Sequence, residues 1–137
     1  MTTTRVIPGI NIQWPWSRLL LSGKKTVETR SYPIPAKYIG QELAIIETPG
    51  PRGAAEASIT TAQIIGVIRF SGSFRYATKT DWLADQPRHS VSPSDPLYAF
   101  KTDRPKFGWV VESAVPLSTP KPAPKKRGII FASKCLI

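Results

Sequence analysis

Apolar and polar positions switch between two rhythms along the chain. Residues 6–13 alternate with a period near two and read as a first strand, its beginning broken by Pro8-Gly9. Trp14-Pro15-Trp16 opens a short helical pattern over 15–22, with Pro15 at the first helical position and Leu19, Leu20 and Leu21 on the buried side. Gly23 stands where a left-handed C-terminal cap belongs. Alternation returns over 26–31 and predicts a second strand, after which Tyr32-Pro33-Ile34-Pro35 must be extended. Residues 43–47 form a short apolar strand expected to be buried on both faces. Residues 63–74 are the longest β pattern, with Gly66 and Gly72 as bulge or bend points. Thr80-Asp81 is expected to cap a short helix carrying Trp82 and Leu83, and residues 107–115 and 128–134 read as the closing strands.

Between these elements lie turn-rich stretches. Residues 49–61 and 116–127 are expected to be mobile loops, and 88–95 a further polar loop. No internal repeat is present. Several strands, two or three short helices and many turn signals predict an α+β fold, a small β-barrel forming a single domain over 1–137.

Composition narrows the function classes. With 137 residues, 41% of them apolar, the chain can bury a real core. Nineteen basic against nine acidic residues give a formal charge of +10, which favours a polyanionic partner. The lone Cys135 excludes an internal disulfide framework and fits a reducing compartment. One histidine and one cysteine argue against a zinc site, and nothing calls for a cofactor. No apolar run reaches the length of a membrane helix and the first residues do not begin a signal peptide, so a cytoplasmic protein is expected.

The chemistry concentrates in the run from Gly23 to Arg30. On a strand, Thr26, Glu28 and Arg30 share one face, with Lys24 and Lys25 at its mouth. A structural ion pair is the plain reading of Glu28 and Arg30. The functional reading makes Arg30 a planar clamp for phosphate or a carbonyl edge, Glu28 an acceptor or general base, and Lys25 a phosphate contact or base. Of Trp14 and Trp16, one belongs to the core and the other can stack on a base, a contact worth ~1–3 kcal/mol. Tyr38 and Tyr76 are read with the same two alternatives, core or stacking on a base, whereas Trp109 reads as core. Lys121, Lys125, Lys126 and Arg127 form the densest basic run, a solvated loop or a backbone-phosphate track. His89 is read as a surface histidine with a catalytic assignment left open.

Trp14-Pro15-Trp16-Ser17, the spaced set Gly23, Lys25, Glu28 and Arg30 (GxKxxExR), and Tyr38-Ile39-Gly40 resemble the ASCH family, the activating-signal-cointegrator homology domains. Ile64-Ile65-Gly66-Val67, Phe107-Gly108-Trp109-Val110 and Gly128-Ile129-Ile130-Phe131 continue the resemblance through nearly the full chain. It implies a PUA-like β-barrel whose cleft, lined by the GxKxxExR residues, suits RNA or a modified nucleobase. Binding residues on this reading are Trp16, Lys24, Lys25, Thr26, Glu28, Arg30, Tyr38 and Tyr76. The resemblance also admits two reactions. One is hydrolysis of N4-acetylcytidine-type nucleosides, for which Lys25 matches the family's lysine but Glu28 stands where its threonine falls, with Thr26 nearby. The other is metal-independent cleavage of single-stranded RNA, with Lys25 stabilising charge and Glu28 or His89 moving the proton.

Overall fold

The computed structural model describes residues 4–137. Six strands make one sheet: β1 (Val6–Gln13), β2 (Val27–Arg30), β3 (Leu43–Thr48), β4 (Gln63–Arg75), β5 (Phe107–Pro122) and β6 (Phe131–Leu136). Four helices decorate it: α1 (Trp16–Ser22), α2 (Gly50–Ala57), α3 (Lys79–Ala84) and α4 (Gln86–His89), with a 3-10 turn at Ala36–Tyr38. The strand order is β2-β5-β4-β3-β1-β6, antiparallel except for the β1–β3 pair.

The expected barrel is not closed. The ladder ends at β2 on one side and β6 on the other, and among the described residues no strand pairing joins them. β2 is only four residues long, and a side chain does what a ladder would have done. Arg30 Nη2 donates to the carbonyl of Asn11 on β1 at 2.9 Å. The seam left between β2 and β1 is where the cleft described below opens.

β3 behaves as its apolar run predicts. Leu43 and Ile45 enter one core cluster with Ile10, Leu20, Phe70 and Trp109, while Ala44 and Ile46 enter a second with Ile64 and Cys135 on the opposite face. Register shifts in β4 fall beside Gly66 and Gly72, as expected of bulge points. α1 ends at Gly23 with φ 82°, the predicted left-handed cap, but starts one residue later than expected, Pro15 serving as its N-cap.

Four local expectations are corrected. Residues 49–61 contain α2. Ala54, Ala55 and Ala57 are strong helix formers, Pro51 sits in the first turn where its missing N–H costs nothing, and Ser58 closes the helix at φ 56°. Residues 116–122 continue β5 against β4. Among the described residues, no strand pairs with the other side of β5 beyond Val111, and a strand tolerates proline there. The cap of α3 is Thr78, which accepts from the Asp81 N–H at 3.1 Å, two residues before the expected position. His89 is fully buried at the end of α4 rather than on a surface loop.

Candidate functional site

α1 is anchored on β3 by a buried carboxylate. Glu47 accepts from Ser17 Oγ at 2.7 Å and from Arg18 Nε and Nη2 at 2.8 and 3.0 Å. This fixes Trp16, nearly buried, with its ring edge-on to Tyr98 at 4.8 Å. Trp16 is therefore the tryptophan that faces the cleft, while Trp14 stays outside under the Arg52 guanidinium.

After the α1 cap the chain enters β2 under close control. The Lys25 N–H donates to the Leu19 carbonyl at 3.0 Å, and the Thr26 N–H donates to the Arg88 carbonyl at 2.9 Å. These bonds turn Lys25 inward. Its side chain has no exposed surface, and Nζ donates to the carbonyl of His89 while lying 3.6 Å from Glu28 Oε1. Glu28 Oε2 accepts from Arg30 Nη2 at 3.0 Å, and Glu28 Oε1 accepts from the Thr29 N–H at 3.2 Å. Arg30 thus spans Glu28 and the β1 carbonyl, with its guanidinium 5.7 Å from the Trp109 ring centroid.

The result is two cations against one carboxylate, on the wall of a cleft of about 680 Å³. Burial pushes the Lys25 ammonium below its ordinary value, against the attraction of Glu28. Burial alone would raise Glu28, but Arg30, Lys25 and the hydrogen bonds hold it below the usual carboxylate range. An excess buried cation is costly unless something answers it. Either Lys25 gives up its proton or a ligand's acceptors complete the set.

His89 has no free ring nitrogen. Its Nδ1 accepts from the Val91 N–H at 3.0 Å, so Nε2 carries the proton and donates to the Trp82 carbonyl at 2.8 Å. The ring stacks on Trp82 at 4.5 Å, and burial lowers its pKa. What His89 presents to the site is its backbone carbonyl, the acceptor for Lys25.

Of the sequence-derived candidates, Trp16, Lys25, Glu28 and Arg30 meet on this cleft. The others lie elsewhere. Lys24 and Thr26 are exposed and do not line it. Tyr38 stacks on Phe131 at 4.4 Å beside a second basic groove formed by Lys125, Lys126 and Arg127, which shares Lys125 and Arg127 with the cleft. Tyr76 is buried and donates its hydroxyl to Asp85, which also holds Arg88. From the basic run, Lys125 and Arg127 reach the cleft rim.

Sequence reasoning missed Asn11, Gln13 and Tyr98. Tyr98 donates to Gln13 Oε1 at 3.1 Å across the cleft wall. Asn11 donates its backbone N–H to Ile130 O at 2.8 Å and its Nδ2 to Gly128 O and Ile129 O at 2.9 and 3.0 Å. The presence of a polar Asn11 between Ile10 and Ile12 is the one signal that pointed to it. Among the described residues no group of three or more His, Cys, Asp or Glu gathers to hold a metal, and no helix is long and apolar enough to cross a membrane.

No family model matches the chain, and no curated protein matches it significantly. Its backbone is similar to that of the ASCH protein of Zymomonas mobilis in three crystal structures. A serine-to-alanine variant superposes with a TM-score of 0.67 at 17% identity, covering 92% of this chain and 86% of that one. A second structure gives 0.63 at 19% identity over 84% and 72% of the two chains. A tyrosine-to-phenylalanine variant gives 0.62 at 19% identity over 86% and 76%. At such identities the likeness establishes a common fold, that of ASCH proteins.

Proposed function

We propose that the cleft binds RNA through a single nucleotide or modified nucleobase, with Lys25, Glu28 and Arg30 as the recognising set and Trp16 as an apolar wall. The observation that carries this reading is the unbalanced buried charge. Two cations and one carboxylate leave one positive charge to be met by phosphate or base-carbonyl acceptors in a nucleotide-sized space. Glu28 contributes the complementary acceptor for an exocyclic amine. The chain's net charge of +10, with Lys125 and Arg127 at the rim, steers a polyanion to the opening. The test is fluorescence anisotropy with a labelled single-stranded RNA oligomer. Lys25→Ala and Arg30→Ala are each expected to weaken binding by about tenfold or more, the value of a charge-assisted hydrogen bond of about 1.5–3 kcal/mol. Unchanged affinity in both variants refutes the assignment.

A second reading, hydrolysis at the same cleft, is favoured by one feature. The Lys25 amine, its pKa lowered by burial, lies beside a carboxylate, and burial is the direction in which a lysine is tuned toward general-base work. Lys25 and Glu28 would be the catalytic pair, acting on single-stranded RNA or on an N4-acetylcytidine-type nucleoside. His89, its ring nitrogens both engaged, is left out of the proton transfer, and Thr26 supplies no hydroxyl to the cleft. Incubation of wild type and Lys25→Ala with RNA and with N4-acetylcytidine distinguishes the readings. Product that vanishes in the variant makes the cleft an active site, and its identity names the reaction.

A further inference from the structure

Behind the wall formed by Thr29, Arg30 and Tyr98 lies a second cavity of about 240 Å³, and these three residues border both spaces. Its far side is built from the turn-rich segment 97–106 and carries Lys101, Arg104 and Lys106. Lys106 is half-buried and donates to the Tyr98 carbonyl at 2.9 Å, whereas Lys101 and Arg104 are exposed. Among the described residues none of these three cations is in an ion pair. Asp95, the acidic residue that attracts Lys106 most strongly, has its Oδ1 occupied by the Leu97 and Tyr98 N–H groups at 2.9 and 2.8 Å. Arg30, the fourth cation, is already engaged by Glu28 and Asn11.

Like charges gathered round a concavity repel one another, and an anion that joins them relieves that repulsion. Burial, Lys101 and Arg104 all push the Lys106 ammonium below its ordinary value, against the pull of Asp95 and Glu28, the direction expected of a crowded cationic site.

We propose that this second cavity is an anion subsite that takes the phosphate attached to a nucleoside seated in the main cleft, with Lys101, Arg104 and Lys106 as its donors. The proposal rests on the nucleotide-binding reading of that cleft. Tyr98 acts as the partition, its ring toward Trp16 in the cleft and its carbonyl holding Lys106 on the phosphate side. The phosphate is either the terminal group of a mononucleotide or the backbone diester of a strand, and the two share the chemistry required.

The test uses the Lys101→Ala/Arg104→Ala double variant, because both side chains are exposed and their loss leaves the Lys106–Tyr98 bond intact. Lys79→Ala/Lys134→Ala, two exposed cations that line neither cavity, removes the same charge as a control. Phosphorus NMR of inorganic phosphate is expected to show line broadening with wild type and the control, and to lose it with the double variant. With a single-stranded RNA oligomer, the slope of log affinity against log salt is expected to shrink by up to about 0.7 in the double variant, the value for one phosphate, and to hold in the control. Uridine and uridine 5′-monophosphate identify the source. A preference for the monophosphate that disappears in the double variant indicates a terminal phosphate, and a change confined to the oligomer indicates the backbone. Equal behaviour of the two double variants in the phosphate experiment overturns the subsite. If RNA binds in a Lys25-dependent way while the two pairs match, the subsite fails and the cleft reading stands. If RNA does not bind while the phosphate signal depends on Lys101 and Arg104, the cleft reading fails and the anion site stands.

Discussion

Lys25 is the residue on which the chemistry of the cleft turns, and its burial has a thermodynamic signature. Its folded pKa lies below the ordinary value of 10.5, with desolvation as the leading cause. Below that lowered value the amine is charged in both the folded and unfolded chain, and the full penalty of burying it is present. Between the lowered value and 10.5 the unfolded chain holds more protons than the folded one, so stability rises with pH. A Lys25→Met variant has no such limb, while Glu28 stays ionised throughout that window in both proteins. Urea unfolding of the two at neutral pH and near 10.5 is expected to show wild type gaining on the variant as pH rises. A gap that stays constant would mean that Lys25 is not desolvated in solution. The same burial makes the local role of His89 intelligible. With its ring locked between Val91 and Trp82, its carbonyl becomes a fixed acceptor for the lysine, and no isolated reading of a Pro-Arg-His-Ser stretch contains that information.

At the scale of elements, β2 depends on how closely β5 can lie against it. A Cβ built at Gly108 would meet Phe74 Cζ at 2.6 Å and Val27 Cγ1 at 2.9 Å, and Gly108 pairs with Thr29, between Glu28 and Arg30. Gly108→Ala is therefore expected to cost about 1–3 kcal/mol through overpacking and to loosen β2. Gly23→Ala meets no atom within 4 Å, and its cost of about 1–2 kcal/mol comes from the left-handed backbone alone. Hydrogen exchange separates the two effects, since amides of β2 should speed up selectively in the Gly108 variant and not in the Gly23 variant. A uniform change in both would remove the close-packing argument. The elements legible beforehand were those with strong local grammar: Gly23 as a cap, 43–47 as a doubly buried strand, and Gly66 and Gly72 beside bulges. The misreadings came from letting breakers outvote their neighbours. Glycines and prolines hid the alanines of α2, and the prolines of 116–122 hid a strand whose second side, among the described residues, has no partner to lose.

At the scale of the molecule, the cleft exists because the sheet does not close, and that is a property no local pattern encodes. Lys25, Glu28 and Arg30 were visible together since one short run of sequence, leading into and along β2, carries them. Tyr98, Gln13 and the cations of 101–106 were not, because distant chain segments bring them to the seam. Asn11 is the clearest case. It receives Arg30 through its carbonyl and holds Gly128, Ile129 and Ile130 through three donated bonds, so one β1 residue ties β2 to the basic loop across the open seam. Asn11→Ala removes both side-chain bonds and leaves the carbonyls of Gly128 and Ile129 to find water. The expected loss of global stability is about 1–2 kcal/mol, at about 1 kcal/mol per bond. The local effect should be larger than the global one. Lys125, Lys126 and Arg127 are trypsin sites in the released segment, whereas the bond after Lys121 is protected by Pro122. Limited trypsin digestion is therefore expected to cut the Asn11 variant at 125–127 about tenfold faster than wild type, beyond what an equally destabilised Gly23→Ala protein shows, because local opening, not global unfolding, then exposes the loop. Equal cleavage in the two variants would mean that the loop stays on the seam without Asn11, and that the cleft rim is held by its own backbone rather than by β1.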